Sequence, residues 1–99
     1  MDTESILMSR GFTLMRHRML WINRDLRIAF SYEAARDHGA GWLTHALAER
    51  VPETDFVFHF SQVPANTQVC REILNELAMP YLTPYVRVGA LRVGGAERD

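Results

Sequence analysis

The sequence predicts an α+β fold, a two-layer sandwich in which helices pack on one face of a mostly antiparallel sheet of about five strands. Three observations support this prediction. Several short segments alternate apolar with small or polar residues, two longer segments have helical spacing, and turn-forming residues separate them. The predicted order along the chain is ββ-α-β-α-ββ. A chain of 99 residues, 47% hydrophobic and 23% charged, has apolar mass for one modest core. We therefore expect one domain over 1–99, with loose termini at 1–9 and 95–99.

The first predicted element is a β-hairpin with arms over 12–21 and 26–32, joined by the turn-forming residues Asn23-Arg24-Asp25. The second arm alternates regularly, which predicts one buried face. The first arm has large apolar residues at both parities, so either a bulge exchanges its faces or both faces are partly covered. An alternative for residues 1–25 is a helix around Ser5 to Ser9 followed by a shorter strand.

The next predicted element is a helical region from Glu33 to Arg50, capped by Ser31. Glycine weakens the middle of a helix and often ends one. Gly39 and Gly41 therefore predict a kink, or a first helix that ends at Gly39 and a second that begins at Trp42.

The rest of the chain predicts a strand, a helix and a hairpin. The strand over 55–61 carries apolar residues on both faces, which is typical of a central strand. The helix begins after Pro64 and has the clearest amphipathic spacing in the chain, and Met79-Pro80 ends it. The final hairpin pairs 85–88 with 91–93 around Gly89-Ala90.

Composition limits the compartment and the chemistry. No apolar run approaches the ~20 residues that cross a bilayer, and the acidic N-terminus is not followed by the apolar region of a secretory signal. The one cysteine forms neither an internal disulfide nor a redox pair. We therefore expect a cytoplasmic protein that is not bound to a membrane.

No motif in the chain specifies a catalytic reaction, a metal or a cofactor. The four histidines lack the short spacings of metal-binding motifs, and neither a P-loop nor a nucleophile elbow occurs. Large apolar residues at both parities of the first hairpin are more than one core face requires. We therefore predict a small non-enzymatic accessory or regulatory domain that self-associates, as a homodimer, and contacts an unidentified protein partner through Met15, Met19 and Trp21.

The arginines support an alternative function. All eleven basic residues are arginine, and five of them lie between residues 10 and 27 against one acidic residue. Arg16, Arg18, Arg24 and Arg27 would present guanidinium groups to the phosphates of a nucleic acid or another polyanion. The net charge of −1 is low for that role. The other use of these arginines is pairing with Glu33, Asp37, Glu72 or Glu76.

A third function would use His59 and Cys70 in a small-ligand pocket. His59 lies between phenylalanines on the predicted central strand, where an imidazole needs a hydrogen-bond partner. Cys70 lies in the apolar stripe of the last helix, where a thiol usually behaves as a small hydrophobe. The simpler interpretation is that both side chains are structural.

One stretch, the strand at 56–61, the helix after Pro64 and the proline-led hairpin that ends in Gly94-Gly95, resembles the later part of a glutaredoxin or other thioredoxin-like domain. The resemblance implies that Pro84 matches the family's cis-proline and that the two glycines match its glutathione-contacting pair. The sequence departs from the family at the redox motif, because Cys70 lies at least a turn inside the helix. The resemblance therefore implies a redox-inactive relative used for binding.

Overall fold

The computed structural model describes residues 2–62 and 66–89. Within these ranges the chain forms three helices and five strands. In order, they are α1 (Thr3–Ser9), β1 (Thr13–Met15), β2 (Leu20–Asn23), β3 (Ile28–Ser31), α2 (Tyr32–Leu47), β4 (Asp55–Phe60), α3 (Thr67–Glu76) and β5 (Thr83–Val88). The α+β class is confirmed, with five strands in one open sheet.

The strands lie side by side in chain order. β1, β2 and β3 form an antiparallel meander, and β4 and β5 then add parallel to β3. The sheet is therefore mixed, because α2 and α3 return the chain to the same end of the sheet before β4 and β5 begin. β4 lies between β3 and β5, as the two apolar faces of its sequence predict.

The first predicted hairpin arm is two strands. A turn over 16–19 separates β1 from β2, and Met19 adopts a left-handed φ of 53° there. Met15 lies opposite Leu20 after this reversal, and Leu14 lies opposite Trp21. The apolar residues at both parities thus arise from a change of strand direction. The predicted turn after Asn23 does connect β2 to β3.

Helices cover both faces of the sheet, where the sequence analysis expected them on one. α3 packs on the face that carries Phe56 and Phe58, here called the α3 face. α1 and α2 pack on the face that carries Phe30, here called the α2 face. A single helical layer does not cover β4, because residues 56–59 are buried on both sides of the strand. The molecule therefore has three layers rather than two.

The two parallel connections have opposite hands. Both the β3-α2-β4 and the β4-α3-β5 connection step in the same direction across the sheet, yet α2 and α3 lie on opposite faces. Crossovers that step the same way on opposite faces differ in hand, so one of them is left-handed, which parallel connections rarely are. The arrangement places a helix over each side of β4.

The N-terminal segment forms the helix α1, within the terminus that the sequence analysis expected to be loose over 1–9. Asp2 caps this helix by accepting a hydrogen bond from the Ser5 amide at 2.8 Å. Leu7 is fully buried against the core of the α2 face. The alternative of a helix near Ser5 to Ser9 is thus what the structure contains. The predicted loose end at 95–99 and the hairpin arm at 91–93 lie outside the described residues.

The predicted break in α2 is confirmed. The Ser31 side chain caps the helix by accepting from the Ala34 amide at 3.0 Å. Gly39 has φ 83° and ψ 175°, a conformation essentially confined to glycine, and it divides the helix in two. The break lies between His38 and Trp42, and the Trp42 ring contacts both the His38 ring and the His59 ring of the sheet.

Candidate functional site

The three predicted interface residues do not form one surface. Trp21 is only 5% exposed and packs in the core of the α2 face. Met15 is half-buried on the α3 face, and Met19 is 48% exposed in the turn before β2. Strand alternation causes this separation, because Trp21 is paired with Leu14 and not with Met15. Trp21 is therefore a core residue rather than a contact residue.

The four predicted polyanion-binding arginines do not converge either. Arg16 and Arg24 are exposed in turns at opposite ends of β2. Arg18 is held by Glu76 and by Glu72, the latter at 3.6 Å. Arg27 donates to the carbonyl of Val51 at 2.8 Å. Two of the four guanidinium groups therefore already have partners within the fold.

The ion pairs of Arg18 join the β1–β2 turn to α3. Glu76 accepts from Arg18 and lies 3.0 Å from Nε2 of His17. The hydrogen bond with Arg18 is the main reason that the pKa of Glu76 is lowered, and His17 adds to it. The same contact raises the pKa of Arg18. This pairing with Glu72 and Glu76 is the structural use that the sequence offered as the alternative to polyanion binding.

His59 and Cys70 lie on opposite faces of the sheet. Cys70 is fully buried on the α3 face, and burial raises the pKa of its thiol to about 12. His59 points to the α2 face, where it stacks on Phe30. The two residues therefore form neither a nucleophile–base pair nor a common pocket.

A compact group of side chains surrounds His59 on the α2 face. We call His38, Trp42, His59 and Arg87 the His59 cluster. The Trp42 ring meets the His59 ring edge-on at 5.6 Å between centroids and the His38 ring at 4.8 Å. Arg87 is the cross-strand neighbour of His59 on β5. The parallel pairing of β4 with β5 and the break in α2 together bring these residues into one place.

Two partners complete the surroundings of Arg87. Its Nη2 forms an ion pair with Glu49 Oε2 at 2.7 Å, and its guanidinium lies 5.0 Å from the centre of the Tyr85 ring. His59 itself is 2% exposed. Burial, and secondarily the charge of Arg87, lower its pKa to about 3, so its imidazole is neutral at neutral pH. In the described part of the chain, no group of three or more metal-binding side chains is assembled.

A second feature is a groove of about 570 Å³ beside the edge strand β1, here called the β1 groove. Its apolar lining comes from both the sheet and the end of α3. The lining residues are Gly11, Thr13, Met15, Ile22, Asn23, Arg24, Asp25, Leu77 and Met79. Asn23 holds one end rigid, because its side chain donates to the carbonyl of Arg10 and accepts from the amide of Leu26, both at 2.9 Å.

Sequence reasoning missed several of these residues. Leu77 and Met79 lie at the end of a helix for which the sequence predicted only amphipathic spacing, and nothing local indicates that they line a groove with β1. Arg87 was placed on the final hairpin without a link to His59. The break at Gly39 was visible in the sequence. Trp42, an aromatic residue just after this break, was the one local indication that side chains of α2 gather near the sheet.

Comparison of the chain with protein-family models, with curated proteins and with solved structures finds no match in any of the three. The thioredoxin-like resemblance therefore remains an expectation. Pro84 lies within β5, opposite Phe56 of the parallel strand β4, and Gly94-Gly95 lies outside the described residues. No helix of the described chain is both long and apolar enough to pass through a membrane. Function is accordingly inferred from the surfaces of the chain itself.

Proposed function

We propose that the protein is a non-catalytic accessory module that self-associates through the β1 groove and acts by protein–protein contact. The carrying observation is the position of this groove beside β1, which is the end strand of the described sheet. The outer side of an edge strand has backbone groups available for pairing with another chain. A groove next to such an edge would take side chains of the added strand.

The lining of the groove favours a second copy of the chain as the occupant. Its apolar part includes Met15 and Met79, which are flexible side chains suited to contact surfaces. Arg24 and Asp25 stand side by side at its margin and are both exposed. In a two-fold symmetric dimer each surface meets itself, so Arg24 of one copy would approach Asp25 of the other. Adjacent opposite charges suit such an interface.

The test measures mass against concentration by sedimentation and native mass spectrometry. The chain has a mass of 11.4 kDa, and we expect a species of twice that mass at micromolar concentration. Thr13→Arg places a bulky cation in the groove from an exposed position, so it should yield a monomer. Thr83→Arg is the matched control, because Thr83 is also exposed but lies at the start of β5, the strand at the opposite end of the described sheet from β1.

A wild-type protein that stays monomeric up to high micromolar concentration would refute self-association. A dimer that Thr13→Arg and Thr83→Arg weaken equally would refute the β1 groove as its surface. Heterogeneous additional mass that disappears in high salt or after nuclease would instead favour polyanion binding. The separation of Arg16 from Arg24 and the internal partners of Arg18 argue against that last result.

A further inference from the structure

Unpartnered buried nitrogens are concentrated in the His59 cluster. Among the described residues, six buried side-chain nitrogens have no hydrogen-bond partner, and five of them belong to this cluster. They are His38 Nε2, Trp42 Nε1, His59 Nδ1, His59 Nε2 and Arg87 Nε. Buried polar groups in folded proteins nearly always have partners, so five in one contact network indicate a missing occupant.

The chemistry of these nitrogens defines what that occupant provides. The indole of Trp42 and Nε of Arg87 only donate, and a neutral imidazole has one donor and one acceptor. Donors therefore outnumber acceptors, and the occupant must bring hydrogen-bond acceptors. The rings of Phe30, Trp42 and Tyr85 around the cluster would contact a small, planar group.

Glu49 shows that the His59 cluster binds a carboxylate. Its carboxylate already binds Nη2 of Arg87, yet Nε of the same guanidinium has no partner. A guanidinium recognises planar carboxylates through parallel hydrogen bonds. Glu49 follows the end of α2, and its side chain is 32% exposed, so it has room to swing away.

The cluster lies beside the break in α2, and most of its side chains are partly exposed. His38, Trp42 and Arg87 are only half-buried, unlike His59 beneath them. The position of a Cβ on Gly39 or Gly41 would have no neighbouring atom within 4 Å, so the backbone is open there. The five nitrogens themselves are closed to a water-sized group, so the occupant enters by displacing the Glu49 carboxylate and the half-buried side chains rather than by filling an existing cavity.

We propose that the His59 cluster is a binding site for a small carboxylate, which competes with Glu49 for Arg87. The ligand carboxylate accepts from Nε of Arg87 and from the indole of Trp42, and His59 donates or accepts according to its tautomer. This site lies on the opposite face of the sheet from the core beneath the β1 groove and does not depend on self-association.

The test titrates ¹⁵N-labelled full-length protein with sodium acetate and sodium formate, and follows the two indole N–H signals. Sodium chloride at matched ionic strength is the salt control. The Trp42 signal should shift to saturation. The Trp21 signal, from a core residue two strands away from β4, is the internal reference.

Two substitutions should have opposite effects. Arg87→Gln removes the guanidinium and should weaken acetate binding by about tenfold or more, the loss expected for a charge-assisted hydrogen bond. Glu49→Gln removes the competing carboxylate and should tighten it severalfold. Arg36→Gln is the matched control, because Arg36 forms an exposed ion pair with Asp37 on α2. This substitution should not alter the affinity for acetate.

Absence of a saturable Trp42 shift with both carboxylates would refute the proposal and leave water as the partner of these nitrogens. Equal shifts with chloride, or tighter binding of inorganic phosphate than of acetate, would refute carboxylate recognition. If Arg87→Gln destabilises the fold, Glu49→Gln still decides, because unchanged or weaker acetate binding in that variant contradicts competition at Arg87.

Discussion

Acid should destabilise the protein through His59. Burial keeps this imidazole neutral in the folded state with a pKa of about 3, whereas an ordinary histidine has a pKa near 6.5. Below pH 6.5 the unfolded chain therefore binds a proton that the folded chain does not. By linkage, stability is fully present above the pKa of the unfolded state and falls as the pH drops from about 6.5 toward 3.

The size of this effect follows from the two pKa values of His59. Linkage between 6.5 and about 3 predicts a loss of about 2–3 kcal/mol in the free energy of unfolding between pH 7 and pH 4.5. This is a large part of the stability of a small domain. The carboxylates of Asp2, Asp37 and Glu76, whose pKa values are lowered by hydrogen bonds, add to the loss toward lower pH.

Urea unfolding at a series of pH values isolates the contribution of His59. His59→Phe keeps an aromatic ring against Phe30 and Trp42 but cannot titrate. The wild type should lose about 2–3 kcal/mol more than this variant between pH 7 and pH 4.5. Carboxylate-free buffers avoid occupying the cluster. Parallel profiles for the two proteins would refute the reasoning and show that His59 is solvated or protonated in the folded state.

Four further predictions follow from particular side chains. Cys70 should not react with iodoacetamide at neutral pH until the protein unfolds, because its thiol is fully buried and its pKa is raised to about 12; rapid labelling of the native protein would contradict this. Phe58→Ala should cost about 3–5 kcal/mol in urea unfolding, because the ring is fully buried between α3 and the sheet. Gly39→Ala should cost about 1–3 kcal/mol, because alanine disfavours φ 83° with ψ 175° although its Cβ would have space; a stability gain would mean that the break in α2 is not retained. Trp21→Arg should lower the melting temperature and the native circular dichroism signal, because it places an unpaired charge in the core of the α2 face; a folded variant of altered oligomeric state would restore Trp21 as a contact residue.

The identity of most elements was predictable because their signals are local. The spacing of apolar residues in α3, the two apolar faces of β4 and the capping Ser31 each depend on near neighbours along the chain. Gly39 marked the break in α2 for the same reason, since few other residues adopt its conformation. The first 25 residues were harder, because a turn between two three- to four-residue strands leaves too little alternation to read.

The sites were less predictable because they join distant parts of the chain. His59 was identified as a buried histidine in need of a partner. This part of the prediction depended only on the pattern of residues in its own strand. Its pairing with Cys70 was wrong, since a strand and a helix that covers the other face of the sheet cannot bring these two side chains together. The β1 groove needs the end of α3 beside β1, and no local pattern specifies that contact.

Local patterns in the sequence thus predicted the α+β class, β4, α3 and β5, and the position of the break in α2, because periodicity, caps and glycine conformation act within a few residues. Tertiary structure alone decided the parallel addition of β4 and β5, the placement of α2 and α3 on opposite faces, and the meeting of Arg87 with His59 and Trp42. These features depend on which surfaces must be buried together. Burying both sides of β4 required a helix on each face, and this requirement separated Cys70 from His59.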